Sequence, residues 1–169
     1  FKTEPYAHQL KALGASHNKE NFALFMEMGT GKSKVLVDNI AMLYDKGKIN
    51  AALIVAPKGV YRNWERQEIP IHMPDHIVHN VVTWSPVTTK KQQKENLKLF
   101  KHGEQLTIFL MNIEAFSTKK GLDIAQRFLL AHQTLMAIDE STTIKSPTAR
   151  RTKNVLKLRN YAKYRRILT

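Results

Sequence analysis

The 169-residue chain is 43% hydrophobic and 24% charged and has no cysteine, a balance that excludes an intrinsically disordered chain, a disulfide scaffold and a thiolate metal site. Its longest mainly apolar runs, Ala51 to Pro57 and Thr107 to Met111, fall well short of the roughly 20 residues a membrane-spanning helix needs, and nothing near Phe1 resembles a secretory signal. Lys and Arg number 27 against 14 Asp and Glu, a formal charge of +13, which favours polyanionic partners.

In chain order, β-rich apolar runs alternate with longer amphipathic segments. The predicted strands are Phe22 to Glu27, Ala51 to Ala56, Val78 to Trp84, Thr107 to Met111 and Thr134 to Ile138, with a sixth candidate beginning near Arg165. Several are apolar throughout, as strands covered on both faces are. Between them, Leu36, Ile40, Leu43 and Tyr44 recur at helical spacing before Gly47, a plausible stop. Pro70 to Pro74 reads as a loop bounded by two prolines. Lys90 to Phe100 predicts a lysine-rich surface helix; Ile124, Phe128 and Ala131 mark another, and Val155, Leu158 and Ala162 a last one after Pro147. Alternation of this kind predicts an α/β domain with a mostly parallel central sheet and helices on both faces. No internal repeat or low-complexity linker interrupts it, so residues 1–169 are expected to form one domain.

The segment Met26-Glu27-Met28-Gly29-Thr30-Gly31-Lys32-Ser33 lies between a strand and a helix, where a phosphate-binding loop belongs. Gly29 and Gly31 let backbone N–H groups turn onto phosphate oxygens, and the helix adds its positive N-terminal end. Lys32 would reach the β and γ phosphates, and Ser33 would give a hydroxyl to Mg²⁺. Met26 stands where the generic pattern has its first glycine. The matching acids close the run Leu135-Met136-Ala137-Ile138-Asp139-Glu140: Asp139 would hold Mg²⁺ and Glu140 would polarise an attacking water. The bland alternatives are a glycine-containing turn with an incidental lysine, and an acidic pair capping a following helix.

The order of these segments resembles that of superfamily two helicases, and within them the Swi/Snf-type double-stranded DNA translocases. Pro5-Tyr6 and His8-Gln9-Leu10 resemble the family's glutamine motif, which implies that Gln9 reads adenine. Met28-Gly29-Thr30-Gly31-Lys32-Ser33 resembles motif I, where the missing first glycine is normal. Leu53 to Lys58 and Asn63-Trp64 resemble motif Ia and the segment after it, which implies contact with the nucleic-acid backbone through Pro57, Lys58 and Arg62. There the family has a glutamate three residues beyond the tryptophan, whereas Gln67 stands there and Glu68 comes one later. Met111-Asn112-Ile113-Glu114 occupies the place of motif Ib, making Asn112 a further candidate contact. Asp139-Glu140-Ser141 and Ile144-Lys145-Ser146 resemble motif II and its Swi/Snf extension; Ser141, where many relatives have alanine, leans toward the Swi/Snf group or its phage and bacterial relatives. Arg165, Leu168 and Thr169 resemble the start of motif III.

The resemblance implies a RecA-like P-loop lobe that binds ATP and Mg²⁺ and acts on nucleic acid, double-stranded DNA in particular. It also implies a second RecA-like lobe with an arginine finger beyond motif III, and weak turnover by this lobe alone. Such a lobe is expected in the cytoplasm, or with DNA in nucleoid or nucleus, and not secreted. From Ser141 to Thr169 nine basic residues occur with no acid, and Arg150 and Arg151 are added as backbone contacts, a solvated helix face being the plainer reading. A non-motor P-loop protein and a DNA-binding module without effective ATPase remain alternatives. His72, His76 and His79 have metal-like spacing, but Pro74 interrupts them and no ligand set completes a site. Trp64 and Trp84 could stack on bases, although packing in the core is the simpler role.

Overall fold

The computed structural model describes residues 2–16, 18–24, 31–87, 89–139 and 150–168, without the side chains of Ser16, Phe22, Ala23, Leu24, Arg150 and Arg151. Helix α1 (Ala7–Ser16) leads into β1 (Asn21–Leu24), and α2 (Lys32–Asp45) precedes β2 (Ala51–Ala56). A helical stretch follows in three parts: α3 (Tyr61–Asn63), a π segment (Trp64–Glu68) and α4 (Ile69–His72). Then come β3 (His79–Thr83), α5 (Lys90–Leu97), β4 (Leu106–Asn112), α6 (Lys119–Ala131), β5 (Thr134–Asp139), α7 (Arg150–Leu158) and β6 (Tyr164–Leu168).

Six strands form one parallel sheet in the order β1-β6-β5-β2-β4-β3. Burial follows from side-chain alternation along each strand. Ala52, Ile54 and Ala56 of β2, Leu106, Ile108 and Leu110 of β4, and Leu135 and Ala137 of β5 face one layer, with Leu36, Ile40 and Leu43 of α2 and with Tyr61, Trp64 and Ile69. Ala51, Leu53, Val55, Phe109, Met111, Met136 and Ile138 face the other, with Phe128 of α6 and Val155 and Leu158 of α7. Both faces of β2, β4 and β5 are therefore covered, which is why these strands read as unbroken apolar runs. Phe109 and Phe128 meet edge to face at 5.4 Å, and burying each such ring contributes about 1.5–3 kcal/mol.

Among the described residues the predicted strands and helices are present with boundaries shifted by a few residues, and Tyr164–Leu168 is the sixth strand; residues 25–27, the second half of the first predicted strand, lie outside the described set. Gly47 follows α2 with φ 70°, the left-handed conformation that ends a helix. The Pro70 to Pro74 segment differs from expectation: α4 carries the helix through Pro70 and Ile71 to His72, and only the residues after it leave the helix. The π segment lies just before Pro70, and the Ile69 N–H bonds back five residues to the Trp64 carbonyl. This wider turn sits where a proline ring would crowd a regular α-helix. No helix among the described residues is long and apolar enough to cross a membrane.

Candidate functional site

In a parallel sheet all strands end on the same edge, and ligands bind there. The register aligns those ends: Leu24 pairs with Leu168, Leu168 with Asp139, and Ala56 with Asn112. Asp139 thus stands two strand spacings, about 10 Å, from the strand that leads into the glycine loop, with β2 on its other side. Asp139 and Pro57 share one edge because each lies at or directly after a strand end, and residues 25–30, between β1 and Gly31, lie outside the described set.

Gly31 is the N-cap residue of α2 at φ 78°, ψ 40°, with no side-chain cap, and the first turn of α2 has no acid. Lys32 and Ser33 open this 14-residue helix, both half-buried. A helix start of this kind leaves backbone N–H groups and the positive end of the dipole for an anion. Gln9 packs against it: its Nε2 donates to the Gly31 carbonyl at 3.4 Å and its Oε1 accepts from the Tyr6 N–H at 2.8 Å. A Cβ added at Gly31 would lie 2.0 Å from Gln9 Nε2 and would push that side chain aside, while the positive φ itself favours glycine. Met28, Gly29, Thr30 and Glu140, with Ser141 and Ile144 to Ser146, lie outside the described residues.

Asp139 is the last residue of β5 and only 7% exposed. Alternation puts it on the α2 side, with Leu135 and Ala137. There Trp64, 1% exposed, donates its indole N–H to Asp139 Oδ2 at 3.0 Å. Glu68 closes the π segment at its other end: burial first, and the Asp139 charge second, hold its carboxyl above the ordinary carboxylate range. A π turn takes one more residue per hydrogen-bonded ring than an α turn. It thereby returns a glutamate four residues beyond the tryptophan toward the side expected at three.

A polar chain continues from Glu68. Its Oε2 is 3.6 Å from His72 Nε2, and His72 Nδ1 pairs with the Thr3 hydroxyl at 2.9 Å. Burial, and then the Lys34 charge, push His72 below its ordinary value, with Asp38 opposing. Lys34 forms a buried ion pair with Asp38 at 2.9 Å and donates to the Thr3 carbonyl at 2.6 Å. The other two histidines of the spaced set turn elsewhere, His76 to Asp45 and His79 to the Ile77 carbonyl.

Beyond β2, a groove of about 360 Å³ is lined by Lys58, Tyr61, Arg62, Trp84, Asn112 and Glu114, among others. It brings together Lys58, Arg62 and Asn112; Pro57, half-buried, directly precedes Lys58. The Asn112 side-chain carbonyl oxygen is engaged as an N-cap, accepting from the Ala115 N–H at 3.0 Å. Arg150 and Arg151 begin α7, and their side chains lie outside the described set. The basic C-terminal run does not form one solvated face. Arg166 is 1% exposed and donates Nε to Asn39 Oδ1 at 2.8 Å, and burial lowers its pKa to about 10.

A doubly covered parallel sheet with a glycine-led helix start and a strand-end aspartate defines a P-loop lobe of RecA-like type. Within that class, a family model described as SNF2-related domain matches residues 8–169, and the chain belongs to that family. Solved structures agree in fold. The Sulfolobus solfataricus SWI2/SNF2 ATPase core in complex with dsDNA is 20% identical, with a TM-score of 0.72 over 99% of this chain and 32% of that one. The UvsW helicase from bacteriophage T4 is 12% identical, with a TM-score of 0.66 over 98% of this chain and 52% of that one. The Type ISP restriction-modification enzyme LlaGI, solved as a nuclease-deletion mutant with a DNA substrate mimic, is 14% identical, with a TM-score of 0.63 over 99% of this chain and 17% of that one. The chain therefore spans from about a sixth to about half of these proteins. A comparison with curated proteins finds no match.

The arrangement fits a nucleotide and a hard divalent cation. The uncapped α2 start suits phosphate, and the Ser33 hydroxyl and Asp139 carboxylate are oxygen donors of the type Mg²⁺ takes. Trp64 is the residue that the sequence alone did not single out for this edge. In the sequence it stood out only within the Asn63-Trp64 segment after motif Ia and as an aromatic that could stack on bases.

Proposed function

We propose that this chain is the ATP-binding lobe of an ATP-dependent translocase that moves on double-stranded DNA. The observation that carries the reading is the shared sheet edge: the helix that opens at Lys32 comes after β1, Asp139 ends β5 two strands away, and the Lys58–Arg62 groove comes after the adjacent β2. Gln9 would read adenine by exchanging its bond to the Gly31 carbonyl for the base. Lys32 and the backbone N–H groups at the start of α2 would seat the phosphates, and Ser33 and Asp139 would hold Mg²⁺. When bound, that ion supplies neutralisation of phosphate charge. Glu140 would accept the proton of the attacking water.

Lys58, Arg62 and Asn112, with Arg150 and Arg151, would contact the DNA backbone, giving affinity with little sequence information. The double-stranded DNA in the Sulfolobus complex supports that choice of partner. A second RecA-like lobe would supply an arginine finger, worth about 10³ to 10⁵ in rate elsewhere, so this lobe alone turns over slowly. The family model and the +13 charge both support a nucleic-acid motor, which would work in the compartment that holds its DNA.

The test is the affinity of a fluorescent ATP analogue with Mg²⁺ for the native chain and for Lys32→Ala. Loss of binding on substitution is expected. Equal binding by both, or binding by neither, would refute nucleotide binding at this edge and favour a DNA-binding module.

A further inference from the structure

Asp139 is held by a residue from a helix 75 positions away in sequence. Trp64 is 1% exposed and Asp139 7% exposed, so their 3.0 Å hydrogen bond is shielded from water, and a buried indole N–H finds a partner in this way. The ring itself packs in the apolar cluster on the α2 side of the sheet. What the indole adds is a donor aimed at one carboxylate oxygen. The π segment begins at this residue and ends at Glu68. A widened helical turn is an uncommon feature and recurs at functional sites. Two residues before Trp64, Arg62 lines the groove with Lys58.

We infer that Trp64 is a positioning residue for the metal–nucleotide site: its indole fixes the orientation of the Asp139 carboxylate, and the helical stretch that carries it links that carboxylate to the Lys58–Arg62 groove. The inference rests on the proposed role of Asp139 in holding Mg²⁺. Groups that orient a metal ligand from outside the coordination sphere typically change metal affinity about 10- to 100-fold when removed. Trp64→Phe keeps an aromatic ring in the core and deletes the donor.

The experiment uses Mn²⁺ as the probe in place of Mg²⁺, with free Mn²⁺ followed by electron paramagnetic resonance in the presence of a non-hydrolysable ATP analogue. Trp64→Phe is expected to weaken Mn²⁺ binding about 10- to 100-fold while metal-free affinity for the analogue stays within about twofold. Combined with Asp139→Asn, it should add nothing further. A second measurement avoids dependence on that variant's folding. The chain has two tryptophans, so in Trp84→Phe the emission of Trp64 stands alone. It should change when Mn²⁺ joins the nucleotide complex and cease to respond in Trp84→Phe/Asp139→Asn.

Analogue binding by the parent with unchanged Mn²⁺ affinity in Trp64→Phe, or a silent Trp64 emission, would overturn this inference and leave the nucleotide site standing. Absence of any analogue binding by the parent would overturn both.

Discussion

Replacing Lys34 by methionine breaks a buried ion pair of α2. Lys34 and Asp38 sit one turn apart on α2, with side chains 5% and 2% exposed and their charged atoms 2.9 Å apart. Among the described residues Asp38 Oδ1 has no hydrogen-bond partner, so the carboxylate depends on Lys34 for compensation. Removing one member of such a pair leaves a buried charge, at a cost of roughly 3–5 kcal/mol. With a urea slope of about 2 kcal/mol/M, the unfolding midpoint should fall by about 1.5–2.5 M. That is a large part of the roughly 5–15 kcal/mol that holds a domain together. Asp38→Leu alone should be comparably damaging, whereas Lys34→Met with Asp38→Leu should recover most of the loss, because an apolar pair carries no desolvation penalty. The assay is urea unfolding followed by circular dichroism on all four proteins. Single variants within about 0.3 M of the parent on that slope, or a double variant as unstable as the sum of the singles, would show that the buried pair does not carry this stability.

Three further outcomes follow from the geometry. Gly31→Ala must adopt φ 78° and displace Gln9, at about 1–2 kcal/mol for the backbone alone, and should weaken binding of an ATP analogue; Gly59→Ala, with open space at its Cβ, should leave affinity unchanged in the same titration. Burial lowers both His72 and His132, so the unfolded chain takes up protons that the folded chain refuses. Stability is then complete above the unfolded value of 6.5 and falls as pH drops below it; urea midpoints on the alkaline and acid sides of that value should show this, with a smaller difference in His132→Phe. Lys58→Ala and Arg62→Ala should each lower the slope of log affinity for duplex DNA against log salt by about 0.9 for each phosphate no longer neutralised, measured by fluorescence anisotropy, without changing preference among sequences.

Much of the fold was legible because β2, β4 and β5 are covered on both faces, and an unbroken apolar run as short as Ala51 to Ala56 fits little besides a strand buried on both sides. The order of Gln9, Gly31-Lys32-Ser33, Pro57-Lys58 and Asp139 pointed to one edge for a topological reason: each ends or follows a strand, or packs on the residue that does. Pro70 misled because proline normally ends a helix, and nothing in the local pattern announces a π turn that lets the helix continue. The displaced Glu68 had the same hidden cause. The Trp64 to Asp139 bond is a tertiary contact across 75 residues, beyond the reach of any local periodicity. Arg166 looked like one more surface charge in a basic run, but strand alternation turns it toward Asn39 of α2.

Nucleotide binding at the strand-end edge is tested most directly by a crystal structure of the chain with a non-hydrolysable ATP analogue and Mg²⁺. Phosphates are expected on the N–H groups at the start of α2, with the ion between Ser33 and Asp139 and Trp64 still bonded to that carboxylate. Nucleotide bound away from Gly31 and Lys32, or an ion that ignores Asp139, would contradict the proposed site.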